Sequence, residues 1–145
     1  MWLTVFTTII TGVTVYVIGQ IITKCALETY ISFKEHLGRI SSLLLREQSK
    51  IMNFKPNSEL IHELKASSGL LIAKSKAIPF YNFFSKIGLT PVYSDVIEAS
   101  HQLNLIASIL EGGNNSYSSN PSPSGQSIYS SLKIIGEKLD IIVSY

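Results

Sequence analysis

Trp2–Ile22, WLTVFTTIITGVTVYVIGQII, carries no charged side chain. As an α-helix at 1.5 Å per residue it reaches about 31 Å, enough to cross a hydrocarbon core of about 30 Å. Val, Ile and Thr form helix poorly in water. Inside a bilayer, however, each backbone N–H and C=O must be satisfied within its own segment, and only helix does that for a lone span. Trp2 sits where an amphipathic ring anchors at the interface. A cleaved leader would need a basic start, a shorter apolar core and small residues at the cleavage site. Nothing basic precedes Trp2, and Thr23-Lys24-Cys25-Ala26 suits neither that site nor a lipoprotein one. Residues 1–23 therefore read as a transmembrane anchor.

Thr4, Thr8, Thr11, Gly12, Val15 and Gly19 fall on one side of this helix. Small and hydroxylated residues on one face let a second helix approach closely, so this face is the expected site of self-association. The plain alternative is that a lone span simply tolerates Thr and Gly. All 12 Lys and Arg residues lie beyond the span, beginning with Lys24, Lys34, Arg39, Arg46 and Lys50. The excess of basic residues marks the cytoplasmic side, which puts Met1 outside. A net charge of +2 is too mild for a nucleic-acid partner. The single cysteine, Cys25, allows no internal disulfide and reads as structural.

Residues 24–113 read as one small cytoplasmic helical region. No proline interrupts the chain between the span and Pro56, so the first helix is expected to run on to about Met52. Phe33, Leu37, Ile40, Leu44 and Ile51 form a heptad-like seam along it. After a break at Asn53–Asn57, with Asn57 or Ser58 as cap, a second helix spans Glu59–Ile78 and turns Ile61, Leu64, Ser68, Leu71 and Ile72 inward. Glu59 and Glu63 at its start and Lys74 and Lys76 at its end suit the helix dipole, and Pro79 stops it. Phe80-Tyr81-Asn82-Phe83-Phe84 is the densest aromatic run and is expected to close the top of the core rather than dip into the membrane interface. Gly88 fits a helix terminator. Thr90-Pro91 reads as an N-cap followed by proline at the first helical position. The helix it opens runs to about Glu111, with Val96, Ala99, Leu103, Ile106, Ala107 and Leu110 inward.

Residues 114–126, NNSYSSNPSPSGQ, are polar and uncharged with Gly and Pro, the composition of a flexible linker. Residues 127–145 form a C-terminal amphipathic helix whose Ile128, Leu132, Ile135, Leu139 and Ile142 hold an a/d spacing. That seam needs a partner, and the first helix's seam or another chain would serve.

Two Glu-x-x-His pairs, Glu59/His62 and Glu98/His101, invite a di-iron reading, with Glu28, Glu35 and Glu137 as further ligands. At about 100° per residue, Glu98 and His101 lie opposite the apolar face of their helix, while Glu59 and His62 fall on the flank and back of theirs. Ligands must converge on one interior point, and these do not. Glu35-His36 reads as a solvated pair. Phosphate-binding loops, nucleophile elbows, Cys-x-x-Cys and His-Glu-x-x-His are all missing from the sequence. The expectation is a protein with no cofactor, no metal, no small-molecule substrate and no catalytic residue.

Gly19-Gln20, Lys24, Leu27-Glu28 and Gly38-Arg39-Ile40, with the later Glu63-Leu64-Lys65, Ile78-Pro79-Phe80-Tyr81 and Gly88-Leu89-Thr90-Pro91, resemble a group of small, functionally uncharacterised bacterial single-pass membrane proteins. The similarity extends to about Leu110 and departs at Thr29, where that group usually has proline. It implies a bacterial inner-membrane location and a helical cytoplasmic part, and it implies no activity. The fold expected is thus all-α, one N-terminal transmembrane helix continuing into a cytoplasmic bundle or hairpin. The role expected is a membrane-anchored interaction or regulatory protein whose partners are the lipid bilayer and either copies of itself or another protein. The alternative is a membrane-permeabilising effector of the toxin or phage-defence kind, with the Thr-rich face lining a wet path.

Overall fold

The computed structural model describes residues 1–55, 57–113 and 125–143, and every regular element among them is helical. Helix α1 (Trp2–Ile22) passes through one π-helical turn (Thr23–Leu27) into α2 (Glu28–Arg46), giving a continuous helix of 45 residues. At 1.5 Å per residue this rod is about 68 Å long. In the π turn the Glu28 N–H bonds to the Thr23 carbonyl five residues back. The turn is bracketed by two threonines whose hydroxyls donate to carbonyls one turn earlier, Thr23 to Gly19 at 2.9 Å and Thr29 to Cys25 at 2.8 Å. Such back-bonding competes with the helix ladder and bends it.

The rod stops short of Met52. Glu47 leaves helical geometry (φ −97°, ψ 8°), and the short helix α3 (Gln48–Met52) follows at a new angle. Leu44 and Ile51, seven residues apart, both stay on the core side across this interruption. Both side chains are fully buried, but Ile51 reaches the core from the redirected turn.

Helix α4 (Ser58–Ala77) starts at Asn57, whose side-chain oxygen accepts from the Leu60 N–H at 2.9 Å. It ends because Ile78 takes extended geometry (φ −73°, ψ 114°), as the residue before a proline does. Phe80 then enters left-handed geometry (φ 57°) to open α5 (Tyr81–Lys86). A Schellman motif closes α5: Gly88 has φ 76°, its N–H bonds to Ser85 O at 3.1 Å, and the Leu89 N–H returns to Phe84 O at 3.0 Å.

Helix α6 (Tyr93–Gly113) begins two residues later than the Thr90-Pro91 pair predicts. The Pro91 carbonyl accepts the Tyr81 hydroxyl at 2.8 Å instead of a helical N–H, and Val92 O takes the first helical bond, from Val96 at 3.2 Å. Thr90 is buried rather than capping.

Helix α7 (Gly125–Leu139) includes the last two residues of the expected 114–126 linker in its first turn; the remainder of that linker lies outside the described residues. The C-terminal helix does not extend to residue 145. Asp140 adopts φ 53°, and the Ile141 N–H folds back onto Gly136 O at 3.2 Å. The reversal takes Ile142 out of the expected seam. It is 67% exposed, while Val143 at 6% packs into the core in its place. The Ile142 backbone carbonyl is used instead, accepting from the Ser41 hydroxyl of α2.

The core is one cluster drawn from α2, α3, α4, α6 and α7. Phe33, Ile40 and Leu44 of α2, Leu64 and Leu71 of α4, Leu103, Ile106 and Leu110 of α6, and Ile128, Leu132 and Ile135 of α7 are among its most deeply buried large side chains. Helices α4 and α6 pack most extensively, across a crossing of small residues. Ser68 Oγ lies 2.7 Å from Ser100 Oγ and donates to Ser100 O at 3.0 Å, so the buried hydroxyls satisfy each other. The main partner of α7 is α6, with α3 second, rather than the seam of α2. The α2 seam is covered by α4, which the short α3 turn brings back alongside it. Surface ion pairs follow the same neighbours, Lys65–Glu111 between α4 and α6 and Lys138–Asp95 between α7 and α6, both at 2.7 Å.

Candidate functional site

Not one residue of α1 is buried, and Ala26 is the first side chain in the chain to be covered. A core helix of a soluble bundle would be wrapped by its neighbours. This one is long and apolar enough to cross a membrane and stands clear of a core that is complete without it. An exposed apolar surface of this extent has to be covered by lipid or by another chain.

The small-residue stripe lies along this free helix. Thr4, Thr8 and Gly12 are spaced by four, and Thr11, Val15 and Gly19 continue the same side, all of them exposed. A methyl group added at Gly12 or Gly19 meets nothing within 4 Å, so the grooves at both glycines are open in the single chain. The hydroxyls of Thr7, Thr8 and Thr11 donate to the carbonyls of Leu3, Thr4 and Thr7 at 2.8–2.9 Å. Of the stripe threonines, Thr8 and Thr11 therefore have their hydroxyl hydrogens satisfied within the helix.

At the base of α1 the aromatic run divides in two. Tyr81 and Phe84 turn inward. The Tyr81 ring stands edge-on to Phe33 (6.2 Å, 88°) and to Tyr93 (5.9 Å, 79°), and Phe84 stacks on Tyr30 of α2 at 5.7 Å. Burial pushes the Tyr81 phenol above its ordinary pKa, so it stays a neutral donor to Pro91 O. Phe80 and Phe83 turn outward, 81% and 60% exposed. The expectation that the whole run closes the core thus holds for only half of it. Between the outward pair and the last turn of α1 lies a cleft of about 550 Å³ with an apolar wall, bounded by Ile21, Ile22, Cys25 and Ala26 on one side and by Pro79, Phe80, Phe83 and the half-buried Phe84 on the other. Cys25 is an exposed free thiol. The sequence carries one signal for this region, the stop at Pro79; the division itself depends on the left-handed turn at Phe80, which the sequence does not show.

The polar candidates fall elsewhere. His36 is not solvated; it is 4% exposed between α2 and α4, and Nε2 donates to Ser67 O at 2.9 Å. Desolvation by burial is the largest influence on its pKa and lowers it, helped by the nearby cations Lys74 and Arg39. The imidazole is thus held neutral. It lines a groove with Arg39, Arg46, Glu63 and Ser67, in which Arg46 pairs with Glu63 at 3.3 Å. Glu35 of the same sequence pair is exposed. Glu59, His62 and His101 lie on exposed faces, and Glu98 is half-buried, accepting from Gln102 Nε2 at 2.7 Å. Among the described residues no three His, Cys, Asp or Glu side chains are placed to hold a metal. Ile128, Leu132, Ile135 and Leu139 of the C-terminal seam are buried within the chain's own core, whereas the α1 stripe and the basal cleft are apolar surfaces open to a partner. No family model, curated protein or solved structure matches the chain.

Proposed function

We propose that this chain is a membrane-anchored helical interaction or regulatory protein, without catalytic activity, that self-associates through the Thr4, Thr8, Thr11, Gly12 and Gly19 face of α1. In this reading α1 crosses the bacterial inner membrane once, Met1 lies outside, and the bundle from α2 to α7 lies in the cytoplasm. The observation that carries it is the unburied apolar α1 standing on a bundle with a complete core of its own. Orientation is supported by the placement of all 12 Lys and Arg residues after α1. The bacterial assignment rests on the resemblance of the Gly19-Gln20, Ile78-Pro79-Phe80-Tyr81 and Gly88-Leu89-Thr90-Pro91 runs. Self-association is supported by the open grooves at Gly12 and Gly19. The internally bonded hydroxyls of Thr8 and Thr11 favour a dry helix–helix contact over a wet path through the membrane.

Crosslinking through Cys25 in native membranes tests this. A short bis-maleimide is expected to give a dimer or a ladder, and Gly12→Leu is expected to reduce the crosslinked fraction about five-fold, the equivalent of about 1 kcal/mol of interhelical packing. A clean monomer with the thiol shown to be accessible refutes self-association. Leakage of a trapped dye from proteoliposomes, lost in a Thr4, Thr8 and Thr11 to Leu variant that still inserts, would replace this reading with the permeabilising one.

A further inference from the structure

Beyond the core, a cluster of large apolar side chains is left exposed at the end of the bundle that meets α1, while others, among them Leu70, Ile97, Tyr129 and Ile142, are exposed elsewhere on it. Leu27 and Ile31 on the first turns of α2, Phe80 and Phe83 at α5, and Ile87 and Leu89 just after it are all exposed. Their proximity is fixed by α2 itself: Tyr30 stacks on Phe84 at 5.7 Å and its hydroxyl reaches Leu89 O at 3.5 Å. The opposite end of the bundle, around α3 and the start of α4, is lined by Arg46, Glu47, Lys50, Asn57 and Glu59. The end beside α1 thus carries a cluster of exposed apolar side chains, where the end around α3 carries mostly charged and polar ones.

We infer that the α5 segment is a second membrane-contacting element. Phe80 and Phe83 lodge at the boundary between headgroups and acyl chains of the leaflet that α1 leaves, and a lipid acyl chain fills the cleft between them and the last turn of α1. This rests on the membrane-spanning reading of α1 and adds to it the surface on which the bundle sits. Depth supports it. With Trp2 at one edge, about 31 Å of helix brings Ile22 to the other edge of the hydrocarbon, and the outward phenylalanines flank Ile22 and Cys25, within about one turn of that edge. Chemistry supports it as well. Apart from the weakly bonding Cys25 thiol, the cleft wall offers no hydrogen-bonding group, so a water-filled cleft there would be unfavourable, whereas an acyl chain needs none. Phenylalanine belongs to the apolar face of segments that lie in the bilayer interface, and Lys24 and Lys86, both exposed and each within a turn or so of a cleft residue in sequence, carry the charge that anionic headgroups attract. A second copy of the chain is the competing occupant. The two are told apart by a reporter at position 83, which lipid quenches and a protein-covered face does not.

Depth-dependent quenching by brominated lipids tests this on the full chain in vesicles of phosphatidylethanolamine and phosphatidylglycerol. Trp2→Phe removes the native tryptophan, and single reporters are placed at Phe83→Trp, at Phe80→Trp as a second and more exposed position, at Val13→Trp within α1, and at Ser108→Trp on the exposed side of α6. The expected result has three parts: at least two-fold stronger quenching of the position-83 and position-80 reporters by shallow than by deep bromines, deep quenching at position 13, and none at position 108. Deep quenching at 13 with unquenched reporters at 80 and 83 overturns the inference and leaves the spanning reading intact. A blue-shifted but unquenched reporter at 83 overturns it in favour of a protein-covered face. An unquenched reporter at 13 overturns the spanning reading itself.

Discussion

Replacing Gly136 by alanine sets two physical effects against each other, and the fold decides between them. Intrinsic helix propensity favours Ala over Gly by about 1 kcal/mol in a helix interior. A Cβ at position 136, however, lies 3.0 Å from Val143 Cγ2 and 3.2 Å from the Ile141 carbonyl oxygen. Ile141 is backbone, held over Gly136 by its own N–H bond to Gly136 O and by the left-handed Asp140, so the carbonyl cannot swing away without undoing the reversal. Val143 must give way instead, although its side chain is packed in the core. Overpacking of this kind costs about 1–3 kcal/mol, which exceeds the propensity gain and leaves a net loss of about 1 kcal/mol. Hydrogen exchange of the amides in the last turns of α7 reads this directly, with the full chain in detergent or bilayers: a loss of about 1 kcal/mol raises the open population about five-fold. Val143→Ala alone should also destabilise, by about 1 kcal/mol, and the double variant should fall well short of the sum because the two methyl groups compete for one space. Slower exchange in Gly136→Ala, as propensity alone demands, would refute the close approach of the C-terminal segment to α7.

Two further perturbations probe the bundle. Because burial lowers the His36 pKa, the unfolded chain binds the proton more readily, so stability is complete above the ordinary value of 6.5 and declines as pH falls from there toward the depressed folded value. Denaturation midpoints at pH 7.5 and 5.5 should show this decline, and His36→Gln, which keeps an N–H donor and does not titrate, should flatten that part of the profile. The Glu47 carboxyl, held below its ordinary 4.5 first by its hydrogen bond to Lys50 and then by Arg46, adds a separate acid-side loss only at lower pH. Tyr81→Phe removes the donor to Pro91 O but keeps the ring contacts with Phe33 and Tyr93; it should destabilise the start of α6 by about 1 kcal/mol, seen as faster amide exchange at the first turns of α6, with α7 unaffected.

Much of this architecture is legible in the sequence because the apolar periodicity is strong and local. Phe33, Leu37, Ile40 and Leu44, and likewise Leu103, Ile106 and Leu110, bury where their spacing places them. The errors arise where a non-local contact outcompetes a local preference. Thr90-Pro91 has the chemistry of a helix start, but a hydroxyl from Tyr81 claims the Pro91 carbonyl. Ile142 continues an a/d spacing, but the left-handed turn at Asp140 changes the phase and hands the position to Val143. His36 looks like a surface residue beside Glu35 until α4 brings the Ser67 carbonyl to it. The α1 stripe was legible as a pattern, whereas the basal cleft depends on two segments more than fifty positions apart and could not be read from either one.

The π turn at Thr23–Leu27 acts as a phase adjuster in a rod that otherwise turns as one piece. Accommodating one residue outside the α ladder rotates everything after it by about 100° relative to an unbroken α-helix. The azimuth of the Thr4–Gly19 stripe is therefore set against that of the Phe33–Leu44 seam at a point belonging to neither. Deleting a single residue in this turn would swivel one face against the other while leaving both sequences intact. Two copies joined along their stripes would then hold their bundles back to back or side by side according to the geometry of five residues.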